Sequence, residues 1–267
     1  MIPASTRYAR ASDLDHALEL LVEPDAKAIA GGQSLIPVMK LRIARPSLVV
    51  DISRLALRGV EERDGELHIG PLTTWAELVS SDVLDRPALA AIAECASGIG
   101  DLQVRNLGTI GGSVAHADPA SDMPAVLLAL GARLRVRSPG GERELALSEA
   151  LLGPFMTTLE PQELVTDIVA TVPPPESGSA YVSVEHPASG FALAGAAALV
   201  HPGGETVALT GVGATPFVLS GTDTRSSIAE ADIYGDRFAS AEYRRELAAV
   251  VAERAIAIAH GRAKEDA

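Results

Sequence analysis

Two glycine-centred stretches carry the residue types best suited to chemistry. The first, Ala30-Gly31-Gly32-Gln33-Ser34-Leu35, follows the short apolar run AKAIA and leads toward a short helix. The second, Val104 to Gly131, sets Gly108, Gly111 and Gly112 among Thr109, Ile110, Ser113, His116, Asp118, Ser121 and Asp122, and then turns into an apolar run. Close-set glycines let backbone amides approach a ligand, because no Cβ stands in the way and positive φ is accessible. Successive free amides form a nest for phosphate oxygens, so a diphosphate is the ligand that such stretches suit. The same glycines would equally make a tight turn between strands, and for the second stretch by itself both readings stay open. Asp122 with Pro124 marks a helix start. Asp118 is expected to brace its own turn, and His116 either touches a ligand or satisfies nearby carbonyls. Lys40 and Arg42 either meet a phosphate or form a solvated helix face.

The elements that must position these residues follow from the pattern around them. Ser12 is expected to cap an amphipathic helix with Leu14, Ala17, Leu18 and Leu21 on one face, ending at Pro24. AKAIA and SLVVDI read as strands, and Asp64-Gly65 joins two alternating runs as a hairpin. Thr74-Trp75-Ala76-Glu77 has capping-box spacing, and Pro87 is expected to begin a helix running to about Gly98. RLRVRSPGGERELAL is a second hairpin with Pro139-Gly140-Gly141 at its tip, and ELVTDIVATV is a strand. Pro173-Pro174-Pro175 with Ser177-Gly178 is the best linker candidate. Beyond it, SAYVSVEH, FALAGAAALVH and TVALTGVGATPF suggest an antiparallel sheet. Ser240 is expected to start a long helix with Tyr243, Leu247, Val250, Val251 and Ile258 facing inward and Gly261 as stop, covering one face of that sheet. The first glycine stretch is not the dinucleotide fingerprint of three spaced glycines and no long parallel-sheet helix follows it, so a nicotinamide-type Rossmann domain is not indicated.

Composition narrows the function classes. A chain of 267 residues is long enough for a proper core, and with aromatics at 3% that core must be built from Ala, Val, Leu and Ile. The formal charge of -13 argues against nucleic acid and against an anionic membrane surface, both of which need a cationic face. No stretch reaches the length of a membrane span and the N-terminus lacks a secretory pattern, so a cytoplasmic protein is expected. Cys95 is the one cysteine, set in an apolar helical run. One thiol excludes an internal disulfide and any cluster needing several thiolates. His16, His68, His201 and His260 lie in polar contexts and are expected to be solvated, and no pair of them has metal-ligand spacing.

Three segments, AGGQSLIPVMKLR (30–42), RNLGTIGGSVAHADPASDMPAVLLALGA (105–132) and LGPFMTTLEPQELVTDI (152–168), resemble the FAD-binding medium subunit of molybdenum hydroxylases, the carbon monoxide dehydrogenase and xanthine dehydrogenase type enzymes. GFALAGAAALV (190–200), GVGATPF (211–217) and ASAEYRRELAAVVAERA (239–255) resemble that subunit's C-terminal domain. The resemblance implies an α+β architecture: a PCMH-type FAD-binding domain of two subdomains over 1–173, and a smaller domain of antiparallel sheet plus helix over 178–267. It implies that FAD lies between the subdomains. On one side of its diphosphate stand Ala30, Gly31, Gly32, Gln33, Ser34 and Leu35; on the other stand Thr109, Ile110, Gly111, Gly112 and Ser113, with His116 close by. By the same resemblance, Asp122 hydrogen-bonds the ribose end, Leu164 and Val165 line the adenine or flavin edge, and Phe191 lies beside the isoalloxazine ring. No catalytic acid or base is required of the chain, and no metal.

The resemblance also makes the cysteine count an argument about partners. A flavin fed by molybdenum needs iron-sulfur clusters, each taking about four cysteines or their equivalents. With Cys95 by itself, the clusters must sit on an iron-sulfur small subunit and the molybdopterin on a large subunit. Electrons would then leave to an acceptor such as NAD, a quinone or dioxygen. One segment departs from the family: many relatives have a basic pair and then Gly-Asp before the aromatic, whereas this chain has His186-Pro187 and Ser189-Gly190. That departure bears on partner docking and on the acceptor. A free-standing FAD-dependent oxidoreductase acting directly on a small molecule is the alternative. A structural subunit that has lost flavin is a third reading, against which both intact glycine stretches speak.

Overall fold

The computed structural model, which describes residues 2–221 and 223–265, is of mixed α+β class and contains, among those residues, three larger open sheets, each with its own packed face, and one two-stranded pair. In the first, β1 (Arg7–Arg10) leads through α1 (Leu14–Leu21) to β2 (Lys27–Ile29), and α2 (Leu35–Lys40) leads to the central strand β3 (Leu48–Asp51). Strand order is β1-β3-β2, all parallel, with Tyr8 opposite Val49 and Ala28 opposite Val50. Ala17, Leu18 and Leu21 of α1 close this core as the spacing predicts. The cap differs: Asp13, not Ser12, accepts the His16 amide at 2.9 Å, while the Ser12 hydroxyl donates to Asp13. A carboxylate at this position also meets the positive helix end.

The second sheet begins with the hairpin β4 (Val60–Arg63) and β5 (Glu66–Ile69). Asp64 and Gly65 both have positive φ, 53° and 78°, as a two-residue hairpin turn requires. A helical stretch follows: α3 (Trp75–Val79) with the Thr74–Glu77 capping box, then α4 (Ala90–Gly98), α5 (Leu102–Arg105), α6 (Ile110–His116) and α7 (Asp122–Ala129). The helix expected from Pro87 starts at Ala90, because the Pro87 carbonyl is occupied by the Ser179 amide at 2.8 Å and Leu89 closes a turn onto Arg86. The chain returns to the sheet in the hairpin β6 (Arg133–Ser138) and β7 (Gly141–Ala146). It then passes through α8 (Leu147–Ala150) and a small pair, β8 (Leu151–Gly153) and β9 (Met156–Thr157), into β10 (Leu164–Thr171). The order β4-β5-β10-β6-β7 is antiparallel throughout. His68, expected in solvent, is instead 5% exposed on β5 and bonded to Asp167 at 2.7 Å. The alternation that made it look surface-like places it beneath Arg63 and Arg135, which reach the same carboxylate.

After residues 172–177 comes the third sheet: β11 (Gly178–Glu185), β12 (Ala192–His201), β13 (Gly204–Thr210) and the short β14 (Phe217–Val218), antiparallel in that order. Then follow α9 (Thr224–Glu230) and α10 (Ala241–Glu265). This sheet is buried on both faces rather than one. Ala194, Ala196, Ala198 and Leu209 pack under α10, while Ala197, Leu199 and Ala208 join the core formed with α4 and α7. Side chains alternate along a strand, so a run of small apolar residues is what a doubly covered strand requires.

α10 itself departs from the expected face. Val251 is buried, but Tyr243, Val250 and Ile258 are exposed, and the inward surface is Ala248, Ala252, Ala255 and Ala259 with the guanidinium of Arg244. Small residues on both sides let helix and sheet approach closely, and Arg244 caps the carbonyls of Leu193 and Gly211 at the end of that contact. Gly261 does not stop the helix. Arg262, one residue on, bonds the Ser179 carbonyl at 2.6 Å and the carboxylate of Glu94, which holds the last turn against the sheet.

Candidate functional site

Between β2 and α2 the backbone turns at Gly32, whose φ is +72°. Ile36 closes the first turn of α2 onto the Gly32 carbonyl at 3.0 Å, and Ser34 at the helix start makes no side-chain cap. Among the described residues the amides of Gly31, Gly32, Gln33 and Ser34 donate to no protein acceptor. Ala30 to Leu35 are half-buried, so these donors lie at a partly covered surface. Amides so placed are the donor set of an anion nest.

The second glycine stretch is built differently. Gly111 and Gly112 lie in the first turn of α6, not in a loop, and their amides are already used. Ile110 donates to the Thr73 carbonyl at 3.0 Å, Gly111 to the Pro71 carbonyl at 2.9 Å, and Gly112 to the Thr109 hydroxyl at 3.2 Å. A Cβ on Gly111 would come within 2.8 Å of the Pro71 oxygen, and one on Gly108 within 2.6 Å of the Trp75 indole nitrogen. These glycines bring neighbouring backbone segments together, and of the two readings open for this stretch the amide inventory favours close packing over a nest of free amides.

The two stretches nevertheless meet. Gly31 lies against the Leu107–Gly108 backbone so closely that a Cβ there would overlap the Leu107 carbonyl. From that contact a line of polar groups runs along α6. Thr109 caps the helix, and one turn on, Ser113 bonds Ser121 at 2.6 Å. Asp118 braces its turn through the Ala120 amide at 2.9 Å, and Thr210 of β13 donates to the Ser121 carbonyl at 2.7 Å. Asp122 follows at the start of α7 and accepts the hydroxyl hydrogen of Tyr181 on β11. Burial pushes the Asp122 carboxyl up to about 6, the tyrosine bond opposing it and Glu185 and Asp118 adding to it. A diphosphate fits the open amides around Gly31. A carboxylate would repel the same diphosphate but suits the hydroxyls of an attached sugar chain, and roughly 6 Å of helix separates Thr109 from Ser113.

The remaining expected residues are placed as follows. His116 packs against Phe155, ring centroids 5.1 Å apart, in place of capping a carbonyl. Leu164 and Val165 are both buried, but in different cores: Leu164 with the first sheet, Val165 with the second. Strand alternation turns adjacent side chains to opposite faces, so the two do not share one open surface. Phe191 is half-exposed just before β12, its carbonyl accepting the His186 amide at 2.8 Å. Lys40 and Arg42 are exposed. Cys95 is buried, and desolvation raises its thiol well above the ordinary range. Surface cavities of about 450 and 570 Å³ lie elsewhere, one beside Phe217 and Tyr234, the other between α4 and Arg262. Sequence reasoning missed Tyr181 and Thr210. An aromatic among small residues in SAYVSVEH was the available signal for the first, and nothing singled out the second.

Residues 4–174 match the family described as the FAD binding domain in molybdopterin dehydrogenase. The chain is similar to the carbon monoxide dehydrogenase medium chain of Afipia carboxidovorans, at 38% identity over 99% of this chain and 100% of that one. It is similar to 6-hydroxypseudooxynicotine dehydrogenase complex subunit alpha of Paenarthrobacter nicotinovorans, at 41% identity over 75% of this chain and 68% of that one. Its fold superposes on a chain of reconstituted CO dehydrogenase from Oligotropha carboxidovorans with a TM-score of 0.91 and 36% identity, covering 98% and 100% of the two chains. No helix among the described residues is long and apolar enough to cross a membrane. The matched residues span both glycine stretches and all of the first two sheets: the chain belongs to the family of FAD-binding medium subunits of molybdenum hydroxylases, as an oxidoreductase flavoprotein whose cofactor is FAD.

Proposed function

We propose that this chain is the electron-transfer subunit of a molybdenum hydroxylase complex. It would receive electrons from iron-sulfur clusters on a small partner chain served by a molybdopterin large chain, and deliver them to an external acceptor. The observation that carries the division of labour is the chain's single cysteine, which is buried: among the described residues no group of three or more His, Cys, Asp and Glu could hold a metal. Such a chain needs its metal centres supplied from outside. Bound FAD supplies the capacity to take electrons singly and give them up in pairs.

The chain's own residues bind and orient. The amides of Gly31, Gly32, Gln33 and Ser34 hold the diphosphate; Ala30 and Leu35 frame them, and Gly31 lets α6 close on that loop from the other side. Thr109, Ile110, Gly111, Gly112 and Ser113 form that facing surface through packing and hydroxyls. Asp122 accepts from a cofactor hydroxyl, and His116 with Phe155 borders the same end of α6. Phe191, at the β11–β12 turn, covers the ring system in this reading, which its half-exposed position supports, with Leu164 and Val165 as backbone and core beneath. Residues 1–173 form the FAD-binding unit and 178–267 the C-terminal unit that closes on it.

A pull-down from the native host, read by mass spectrometry, tests the assignment. Molybdopterin and iron-sulfur subunits are expected in the eluate. Their absence, together with flavin reduction by small-molecule substrate in the isolated chain, would establish a free-standing oxidoreductase instead.

A further inference from the structure

Asp122 sits where three elements meet. Facing it are Tyr181 and Glu185 from β11, Cys95 from α4 with Glu94 beside it, and Asp118 from the preceding turn. None of these is a cation. The tyrosine hydroxyl is the neutral donor in the set, and it bonds Oδ1. Oδ2 accepts from no protein side chain among the described residues.

Tyr181 is itself held by three other elements. Its amide donates to Glu94 Oε2 of α4 at 3.2 Å, and Glu94 is in turn bonded by Arg262 of α10. Neighbouring Ser179 is pinned to the start of α4, its amide on the Pro87 carbonyl at 2.8 Å and its hydroxyl under the Ala91 amide at 3.0 Å. On β12, Gly195 leaves room for the hydroxyl, which a Cβ at that position would overlap. The hydroxyl is therefore placed by the docking of the third sheet onto α4 and α7.

We propose that Tyr181 is a positioning residue for the cofactor: by holding Asp122 Oδ1 it aims Oδ2 at a flavin-chain hydroxyl, and it ties FAD retention to the docking of the C-terminal sheet. The inference rests on the assignment of Asp122 as a hydroxyl acceptor. Deleting the tyrosine hydroxyl leaves the carboxylate with its own backbone amide against burial, Glu185 and Asp118, so it takes up a proton at higher pH and accepts less often as a carboxylate.

The test uses the full chain, with FAD affinity followed by flavin fluorescence between pH 5 and 8. In the native chain, affinity falls as pH drops through about 6. Tyr181→Phe is expected to weaken FAD about tenfold at pH 7, the loss of one hydrogen bond to a charged group, and to move that fall to higher pH. Asp122→Asn should weaken FAD and flatten the profile, and Tyr181→Phe should then add nothing in the Asn background. 3-Fluorotyrosine at 181, nearly isosteric and a stronger donor, keeps the fold and should move the fall to lower pH. Equal weakening by Tyr181→Phe in both backgrounds, or an unmoved profile with fluorotyrosine, would overturn the proposal while leaving Asp122 in its role. Asp122→Asn binding FAD as the native chain does would overturn the hydroxyl-acceptor assignment itself.

Discussion

The loop around Gly31 and Gly32 leaves its amides open, whereas those of Ile110, Gly111 and Gly112 are bonded to Thr73, Pro71 and Thr109. The first pair sits in half-covered backbone with Gly32 at positive φ, and the second is inside a helix turn with Gly111 buried. Both pairs lack side chains for a steric reason, but the neighbour differs. Gly31 admits the opposite glycine stretch, and Gly111 admits the proline that fixes where α6 begins. A glycine pair beside hydroxyls is thus a statement about close approach, and only the hydrogen-bond inventory says whether a ligand or the protein is what approaches.

Substitutions should separate these roles. Gly31→Ala pushes the loop off the Leu107 carbonyl and displaces the open amides, so FAD affinity should drop at least about 100-fold, roughly 3 kcal/mol, with the apo fold largely kept. Gly111→Ala meets Pro71 in a site that cannot shift, and should cost the apo chain about 1–3 kcal/mol in urea unfolding. If Gly111→Ala abolishes FAD binding at unchanged apo stability, the contrast between the pairs is broken.

Asp122 extends the contrast along α6, because its charge is held at a cost to the fold. Its carboxyl is raised to about 6 in the folded chain from the ordinary 3.8, so the folded state binds the proton more tightly. Its contribution to stability is full below pH 4 and is lost as pH rises to about 6. Apo Asp122→Asn should accordingly be more stable than the native chain by about 3 kcal/mol at pH 8, the gap closing toward pH 4, as read from urea midpoints at the two pH values.

The smallest effects belong to the two helix starts. Thr109 caps α6 through its hydroxyl, so Thr109→Ala should cost about 1 kcal/mol of apo stability. Ser34 makes no cap on α2, so Ser34→Ala should leave the apo melting temperature unchanged. Equal costs at the two positions would mean that the first loop is as internally bonded as the second.

Much of the fold was legible because it rests on local chemistry. The Asp64-Gly65 turn, the Thr74–Glu77 capping box and the apolar face of α1 each depend on residues within one turn of one another. What was misplaced depended on distant partners. His68 reads as a surface histidine until β10 brings Asp167 beside it. Gly261 reads as a helix stop until Glu94 and Ser179 anchor Arg262 beyond it. Side-chain size alone points the large residues of α10 inward. The small side chains of β12 and β13 make alanine the better contact, and Tyr243, Val250 and Ile258 are left outside.

The residue order by itself determined the family and its cofactor, since these rest on motif order, and it raised the expectation of outside metal centres through a count of thiols. Only the tertiary structure decided which amides remain free, that the C-terminal sheet is covered on both faces, and that Tyr181 reaches Asp122 from 59 residues away. The physical reason is one of range. Backbone freedom and capping are settled within a few residues, whereas the occupancy of a hydrogen-bonding group is settled by whatever the fold carries to it.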